Sequence, residues 1–238
     1  MNSVLVAFHN HTEHSFDSKC TLKQKIDLAA EKGVGMLCIT DHDTIGLEQD
    51  DFKYAEMFGI ELIAGIEFSC VGNLHIIGFH EDIKKLEKDR YYYTVPELLN
   101  ELKVLGAIIY IPHPYHRTGV LSSYSWQRIK DKVDIVEIFN WKHGSIVMNP
   151  WIYLSKKLLV VADDSHSLLD FGHSMSSVLI SEESSFKDIL TVDRKKWSHH
   201  INCRPTLKRL MKLLLHYVNH KSGYRISKFF RTVHVWKN

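Results

Sequence analysis

The feature that most constrains this chain is that its strand-like apolar runs stop, one after another, on residues able to bind a metal ion. Val-Leu-Val-Ala-Phe at 4–8 is followed by His9-Asn10-His11, and Met-Leu-Cys-Ile-Thr at 36–40 by Asp41-His42-Asp43. Leu-Ile-Ala-Gly-Ile at 62–66 leads into Glu67, Ile-Ile-Tyr-Ile-Pro at 108–112 into His113, and Leu-Leu-Val-Val-Ala at 158–162 into Asp163-Asp164-Ser165-His166. His75 adds a sixth contribution from inside the run at 74–79. One such residue at a strand end is ordinarily a cap or a hydrogen-bonding group, whereas six agreeing strands point to a shared site. In a parallel barrel the C-terminal strand ends lie on one face, so residues far apart in sequence converge there.

The rest of the chain supports such a fold. Strands are expected at 4–8, 35–39, 61–68, 74–79, 108–111, 134–139, 158–162 and 177–180, with helical stretches between most of them, the pattern of an α/β chain with a mainly parallel sheet or barrel. Thr21 can cap a helix that carries Leu22, Ile26, Leu28, Ala29 and Ala30 on an apolar side and ends at Gly33. Pro96 opens another that closes at Gly106. At 238 residues, without linkers or repeats, the sequence reads as one catalytic domain over residues 1–193 followed by a basic extension over 194–238. That extension holds twelve Lys or Arg and no acid, so the formal charge of +2 hides a body of about −10. From Pro205 its Leu207, Leu210, Met211, Leu214 and Val218 form the stripe of an amphipathic helix. That helix is expected to pack on the barrel, with contact to nucleic acid or an anionic membrane surface as the functional alternatives.

Apolar runs of about five residues are far too short for the roughly 20 of a membrane-spanning helix. The N-terminus lacks a basic leader and a small-residue cleavage site, so a cytoplasmic location is expected. Cys20, Cys38, Cys70 and Cys203 are scattered and read as reduced thiols rather than a zinc frame.

Histidine is the compositional anomaly, with 16 in the chain. His9 and His11 are two residues apart, as are Asp164 and His166, and an extended backbone points such pairs to one side. Imidazole and carboxylate without thiolate suit Zn²⁺, Mn²⁺ or Fe²⁺.

His9-Asn-His11-Thr12 with Ser15-Phe-Asp17, Thr40-Asp41-His42-Asp43, Gly65-Ile-Glu67, His75, Pro112-His113-Pro114 and Asp164-Ser-His166 with Gly172 resemble, in order over about residues 4–182, the PHP (polymerase and histidinol phosphatase) domain family. The resemblance implies a distorted, TIM-like (β/α)7 barrel with two or three divalent metal ions at the strand C-terminal ends. It assigns His9, His11, Glu67 and Asp164 to one ion, and has Glu67 bridge to a second held by His75 and His113. Asp17, His42 and His166 hold the third. Asp41 becomes an orienting group behind the ligands, and Arg117 and His116 become substrate-contacting residues of the loop after His113. Asn140 and Glu137 belong to the strand before the final motif, where Asn140 lines the pocket and Glu137 packs or pairs. His14, His80, His143 and His173 are read as structural or surface residues.

Two departures stand out. Ala7 occupies a position where many relatives carry Asp, which removes one outer hydrogen bond. Asp163 precedes Asp164, so either acid is a candidate ligand, and the two-residue spacing to His166 favours Asp164. The expected activity is metal-dependent hydrolysis of phosphate esters by a metal-bridging hydroxide, on a small phosphorylated metabolite or nucleotide. The alternatives are a nuclease that holds nucleic acid with the basic tail, and a non-catalytic metal-binding regulatory module.

Overall fold

Thr21 caps the first helix reciprocally: its Oγ1 accepts from the Gln24 N–H (3.2 Å) while the Gln24 side chain accepts from the Thr21 N–H (3.1 Å). Gly33, at φ +70°, turns the chain out of that helix into the next strand, a conformation that costs other residues more. The computed structural model describes residues 2–181, 184–202 and 233–234.

The elements run β1 (Asn2–Ala7), α1 (Leu22–Glu31), β2 (Val34–Ile39), α2 (Gln49–Glu56), β3 (Glu61–Cys70), β4 (Leu74–Phe79), α3 (Val95–Leu105), β5 (Ile108–Ile111), α4 (Trp126–Ile129), β6 (Ile135–Asn140), β7 (Ser145–Ile146), α5 (Pro150–Leu154), β8 (Leu158–Ala162), β9 (Ser174–Ile180), α6 (Phe186–Ile189), β10 (Trp197–Ile201) and β11 (Val233–His234). All the expected strands and the helices expected from Thr21 and Pro96 are present, with ends shifted by a few residues at most.

The strands form one curled, mixed sheet in the order β11-β10-β9-β1-β2-β3-β4-β5-β6-β7, with β8 also on β6. Pairing is parallel from β1 to β3, antiparallel on both sides of β4, and parallel again from β5 through β6 to β8. The reversal at β4 follows from its connection: residues 71–73 leave no room for a crossover, and Gly72 and Asn73 both take positive φ, as a tight hairpin turn demands.

One apolar cluster draws on Val6 and Phe8, Met36 and Cys38, Ile63, Ile77 and Phe79, Tyr110, Ile135, Val160 and Trp197, and so fills the inside of the curl. Two others lie outside it. One packs α3 through Leu98, Leu99 and Leu102, and the other packs α1 through Leu22, Ile26 and Ala29. Each fully buried Leu contributes roughly 2 kcal/mol of gross transfer energy. Cys20, Cys38 and Cys70 are buried free thiols, and Cys203 lies outside the described residues. The helix expected from Pro205 also lies outside them. No helix among the described residues is long and apolar enough to cross a membrane.

The sheet continues past residue 193, because β10 pairs antiparallel with β9 from Trp197↔Val178 to Ile201↔Ser174. His199 in this strand is buried, with Nδ1 3.0 Å from Ser176 Oγ. Burial, helped by His200, lowers its pKa from 6.5 to about 3. The fold therefore accepts the neutral imidazole, while the unfolded chain takes up a proton near 6.5. The resulting stability is complete above that pH and drains away as pH falls toward 3, by about 1.4 kcal/mol per pH unit. Urea unfolding of His199→Gln between about pH 4 and 6 should show a pH slope smaller by one proton. Equal slopes in the two proteins would refute the neutral assignment.

Candidate metal centre

The backbone brings the expected ligands together by two routes. His9, His11, His42, His113, Asp164 and His166 follow the C-terminal ends of β1, β2, β5 and β8. Glu67 lies within β3, and His75 near the start of β4 reaches the same face because β4 runs antiparallel to β3. Single parallel bridges, Asn10↔Ser165, His42↔Glu67 and His75↔Gly119, tie the loops above the sheet. Two of these residues have positive φ, His113 at +27° and Asp164 at +57°. Such backbone costs on the order of 1–3 kcal/mol and persists only where the surroundings impose it. At His113 the surroundings include its own N–H, which donates to Glu137 Oε1 at 3.0 Å, and Gly119, whose Cβ would lie 2.2 Å from the His113 carbonyl oxygen.

Glu67 is the hub. Its Oε2 lies 3.0 Å from His9 Nε2, 3.1 Å from His11 Nε2 and 3.6 Å from His42 Nε2. Its Oε1 lies 2.9 Å from His75 Nδ1 and 3.1 Å from His113 Nε2. Asp164 Oδ1 closes the first group at 3.6 Å from His9 and 3.4 Å from His11. A neighbouring group forms where Asp17 Oδ2 approaches His166 Nε2 (3.0 Å) and His42 Nε2 (3.7 Å). All nine expected metal residues therefore meet. Their ligand atoms fall into clusters His9-His11-Glu67-Asp164, His11-Asp17-His42-His166 and His42-Glu67-His75, with a further one of His113, His143 and Asp164.

The charges respond to this packing. Burial by itself would neutralise Glu67, but the imidazoles of His9, His42 and His75 hold its carboxyl well below the usual range. Asp164 behaves likewise through His9, His11 and His143. Burial would discharge His9, yet Glu67 and Asp164 raise its pKa well above 6.5. His11, beside His166, is lowered to about 3 by burial first and by that neighbour second.

Behind the ligands sits a second set of hydrogen bonds. Glu137, buried within β6, accepts from His9 Nδ1 (3.2 Å), from the Tyr110 hydroxyl, and from Asn140 Nδ2 (2.7 Å). It fixes the tautomer that leaves His9 Nε2 facing the centre, the support metal-bound imidazoles generally have. Glu137 thus gives His9 an outer carboxylate in a chain that has Ala7 two residues before it. Among the described residues Asp41 makes no hydrogen bond to a ligand side chain. It accepts from the N–H (2.5 Å) and Oγ1 (2.7 Å) of Thr12, next to His11. Asp163 turns away from the centre and accepts from the N–H groups of Gly172 (2.5 Å), His173 (3.2 Å) and Ser174.

On the rim, the His116 ring stacks on His143 with centroids 3.8 Å apart, and burial, with His143, His113 and Arg117, lowers its pKa to about 4. Arg117 is exposed and has no ion pair among the described residues. His143, read from sequence as peripheral, places Nε2 3.1 Å from Asp164 Oδ2. Its neighbour Lys142 lies 2.9 Å from His166 Nδ1 and 3.5 Å from Asp164 Oδ1. Both follow the end of β6, so the rule that singled out the other strand ends covers them once β6 is extended to Asn140. His14 packs against Gly46, His80 Nδ1 accepts from the Asp82 N–H, and His173 stacks on Trp141. Beside His42 a cleft of about 600 Å³ opens, walled in part by Phe16 and Arg90. The Arg90 guanidinium lies 4.0 Å over the exposed Phe16 ring.

The donor set fits divalent cations. Nitrogen and oxygen atoms converge without thiolate, the Nε2 atoms of His9 and His11 lie 3.1 Å apart, and His42 Nδ1 and His75 Nε2 are buried without hydrogen-bond partners among the described residues. An α/β curl with clustered histidines and acids at its strand ends defines a class of metal-binding barrel-like proteins. Residues 7–194 match the PHP domain, and the chain belongs to that family. An uncharacterised protein of Methanocaldococcus jannaschii is 29% identical over 126 residues, covering 52% of this chain and 68% of that protein. Among solved structures, a lesion-specific endonuclease of Pyrococcus furiosus superposes with a TM-score of 0.64 at 14% identity, over 85% of this chain and 60% of its own. A Bifidobacterium adolescentis protein assigned as a metal-dependent phosphoesterase gives 0.55 at 15% identity, over 68% and 87%.

Proposed function

We propose that this chain is a metal-dependent phosphoesterase. The observation that carries the reading is the division of Glu67, with Oε2 turned to His9 and His11 and Oε1 to His75 and His113. A carboxylate so divided suits two adjacent cations. His9, His11, Glu67 and Asp164 would hold one, Glu67, His75 and His113 a second, and Asp17, His42 and His166 a third. Zn²⁺, Mn²⁺ and Fe²⁺ all suit these donors. When bound, such ions polarise phosphoryl oxygens, acidify water and offset charge on the leaving oxygen.

The chain's own residues do the rest. Glu137 and Asn140 orient His9 and Asp164. Asp41 holds Thr12 and thereby the His11 backbone. Arg117 can grip a phosphate through two parallel hydrogen bonds. His116, neutral at physiological pH, enters as a hydrogen-bonding group toward the substrate rather than as a standing acid. Strands β1 to β6 with β8 would supply the seven strands of the expected barrel, and residues 1–193 the catalytic unit, supplemented by β10. A small phosphorylated metabolite or nucleotide is the favoured substrate. The exposed Phe16 under Arg90, its ring 5.1 Å from that of His42, favours substrates with a flat base, and so keeps a nuclease as the second reading.

The test is a screen of the full, metal-analysed chain against phosphomonoesters, nucleoside bisphosphates and short oligonucleotides. Phosphate release from the small esters, abolished by a chelator, is expected. Arg117→Ala should raise KM about tenfold with kcat little changed. Cleavage confined to oligonucleotides, weakening steeply with salt, would favour the nuclease. A metal-loaded chain inert to every ester would leave only a binding module.

A further inference from the structure

The buried face of α1 consists of Leu22, Lys25, Ile26 and Ala29, and Lys25 is fully buried among them. An ammonium in such a position is strongly disfavoured unless every proton finds an acceptor and opposite charge lies near. Here the Nζ donates to the His11 carbonyl (2.6 Å), the Ser165 carbonyl (2.9 Å) and Ser165 Oγ (2.8 Å). Three acceptors within 2.6–2.9 Å satisfy the three ammonium protons, and the carboxylates of Asp41 and Asp163 supply opposite charge nearby.

The two residues it joins belong to different arms of the centre. His9 and His11 follow β1, while Asp164 and His166 follow β8. Strand β8 pairs with β6, and backbone pairing between the β1 and β8 arms is limited, among the described residues, to the Asn10↔Ser165 bridge, beside which Ser18 Oγ donates toward the His11 (3.4 Å) and His166 (2.9 Å) carbonyls. The bridge's hydrogen bonds are His11 N–H to Ser165 O at 3.0 Å and Ser165 N–H to His9 O at 3.4 Å. Ser165 Oγ in turn donates to Asn10 Oδ1 at 2.9 Å. With so little sheet pairing there, the separation of the two arms depends on whatever crosses beneath them.

We propose that Lys25 is a positioning residue whose ammonium, by clamping His11 to Ser165, sets the spacing between the two ligand-bearing arms and with it the affinity of the centre for divalent cations. The inference rests on the metal-centre reading above, and extends it to a residue that touches neither metal nor substrate. An apolar side chain of similar length would fill the volume but take the charged donor from both carbonyls, leaving Ser165 O with the His11 N–H (3.0 Å) and His11 O with the longer Ser18 hydroxyl contact (3.4 Å), so the arms would relax apart. Outer groups that orient ligands are generally worth 10- to 100-fold in metal affinity.

The experiment measures Zn²⁺ and Mn²⁺ affinity of the full chain by competition with a chromophoric chelator, and records the absorption spectrum of the Co²⁺-loaded protein. Lys25→Met should bind about 10- to 100-fold more weakly, with an altered Co²⁺ spectrum. Ser165→Ala keeps the ammonium buried but removes one acceptor, and should show a smaller loss of the same kind; it decides the matter if Lys25→Met does not fold. Ile26→Ala, a cavity in the same face of α1, should lower the thermal midpoint without changing affinity or spectrum. Parental affinity in the folded lysine and serine variants, or an equal loss in Ile26→Ala, would overturn the proposal. A parent that binds cations but hydrolyses no ester would sink the phosphoesterase reading and leave this comparison standing. A parent that binds none would end both.

Discussion

Glu67→Gln is expected to lower kcat by at least about 10³-fold, because charge stabilisation by a bridged pair of cations is worth several kcal/mol at 1.36 kcal/mol per decade. The change keeps the volume and removes the charge. An amide presents one oxygen and one NH₂, so it cannot offer anionic oxygens to the His9-His11 side and the His75-His113 side together. The NH₂ would also face an imidazole nitrogen now 2.9–3.1 Å from a carboxylate oxygen. Bound metal should fall by at least one ion per chain. The fold should survive, since burying an amide among these rings costs less than burying a carboxylate stripped of its partners. Circular dichroism, metal analysis and phosphate release measured on one preparation would check this. Near-parental turnover at full metal content would remove Glu67 from the bridging position.

Most of this centre was legible because strand termination and ligand chemistry coincide. A run such as 158–162 must end somewhere, and where its end carries acid and imidazole, the barrel face on which it lies is fixed by topology rather than by side-chain detail. What was not legible required knowing where backbones turn. The two-residue spacing to His166 already favoured Asp164 over Asp163, but nothing in the pair signalled that Asp164 takes φ +57°. Lys25 escaped because an apolar stripe drawn through Leu22, Ile26, Leu28, Ala29 and Ala30 passes beside it; tertiary partners supplied by β1 and β8, not hydrophobicity, place it inside. Glu137 is similar, a carboxylate inside a strand whose reason for burial is a histidine on another strand. Lys142 and His143 sit just beyond β6, and only the turn there directs them back to Asp164. The hairpin at Gly72-Asn73 that reverses β4 departs from the mainly parallel sheet expected, and through it His75 near the start of a strand joins residues at the ends of others.

The adjacent acids should separate stability from metal binding. Asp163 serves the backbone: it accepts from three successive N–H groups at 172–174, although burial lifts its carboxyl to about 7. Asp163→Ala would leave those donors unmatched at a place where Gly172 already holds φ +88°, and donors left without partners cost about 1–3 kcal/mol apiece when fully buried. Gly172 and His173 are only partly buried, so a total of roughly 2–4 kcal/mol is expected, a fall in Tm on the order of 10 °C. Metal stoichiometry below that temperature should be unchanged. Asp164→Ala should do the reverse. Its carboxylate faces His9, His11, His143 and His166, so its loss removes a charge that draws cations to the first group. At least one ion per chain should be lost and hydrolysis should fall by about 10²-fold or more, while the metal-free protein melts close to the parent. Metal titration beside thermal melts of both variants reads the two effects independently. If Asp163→Ala lost the ion and Asp164→Ala lost the stability, the orientation of both side chains would have to be exchanged.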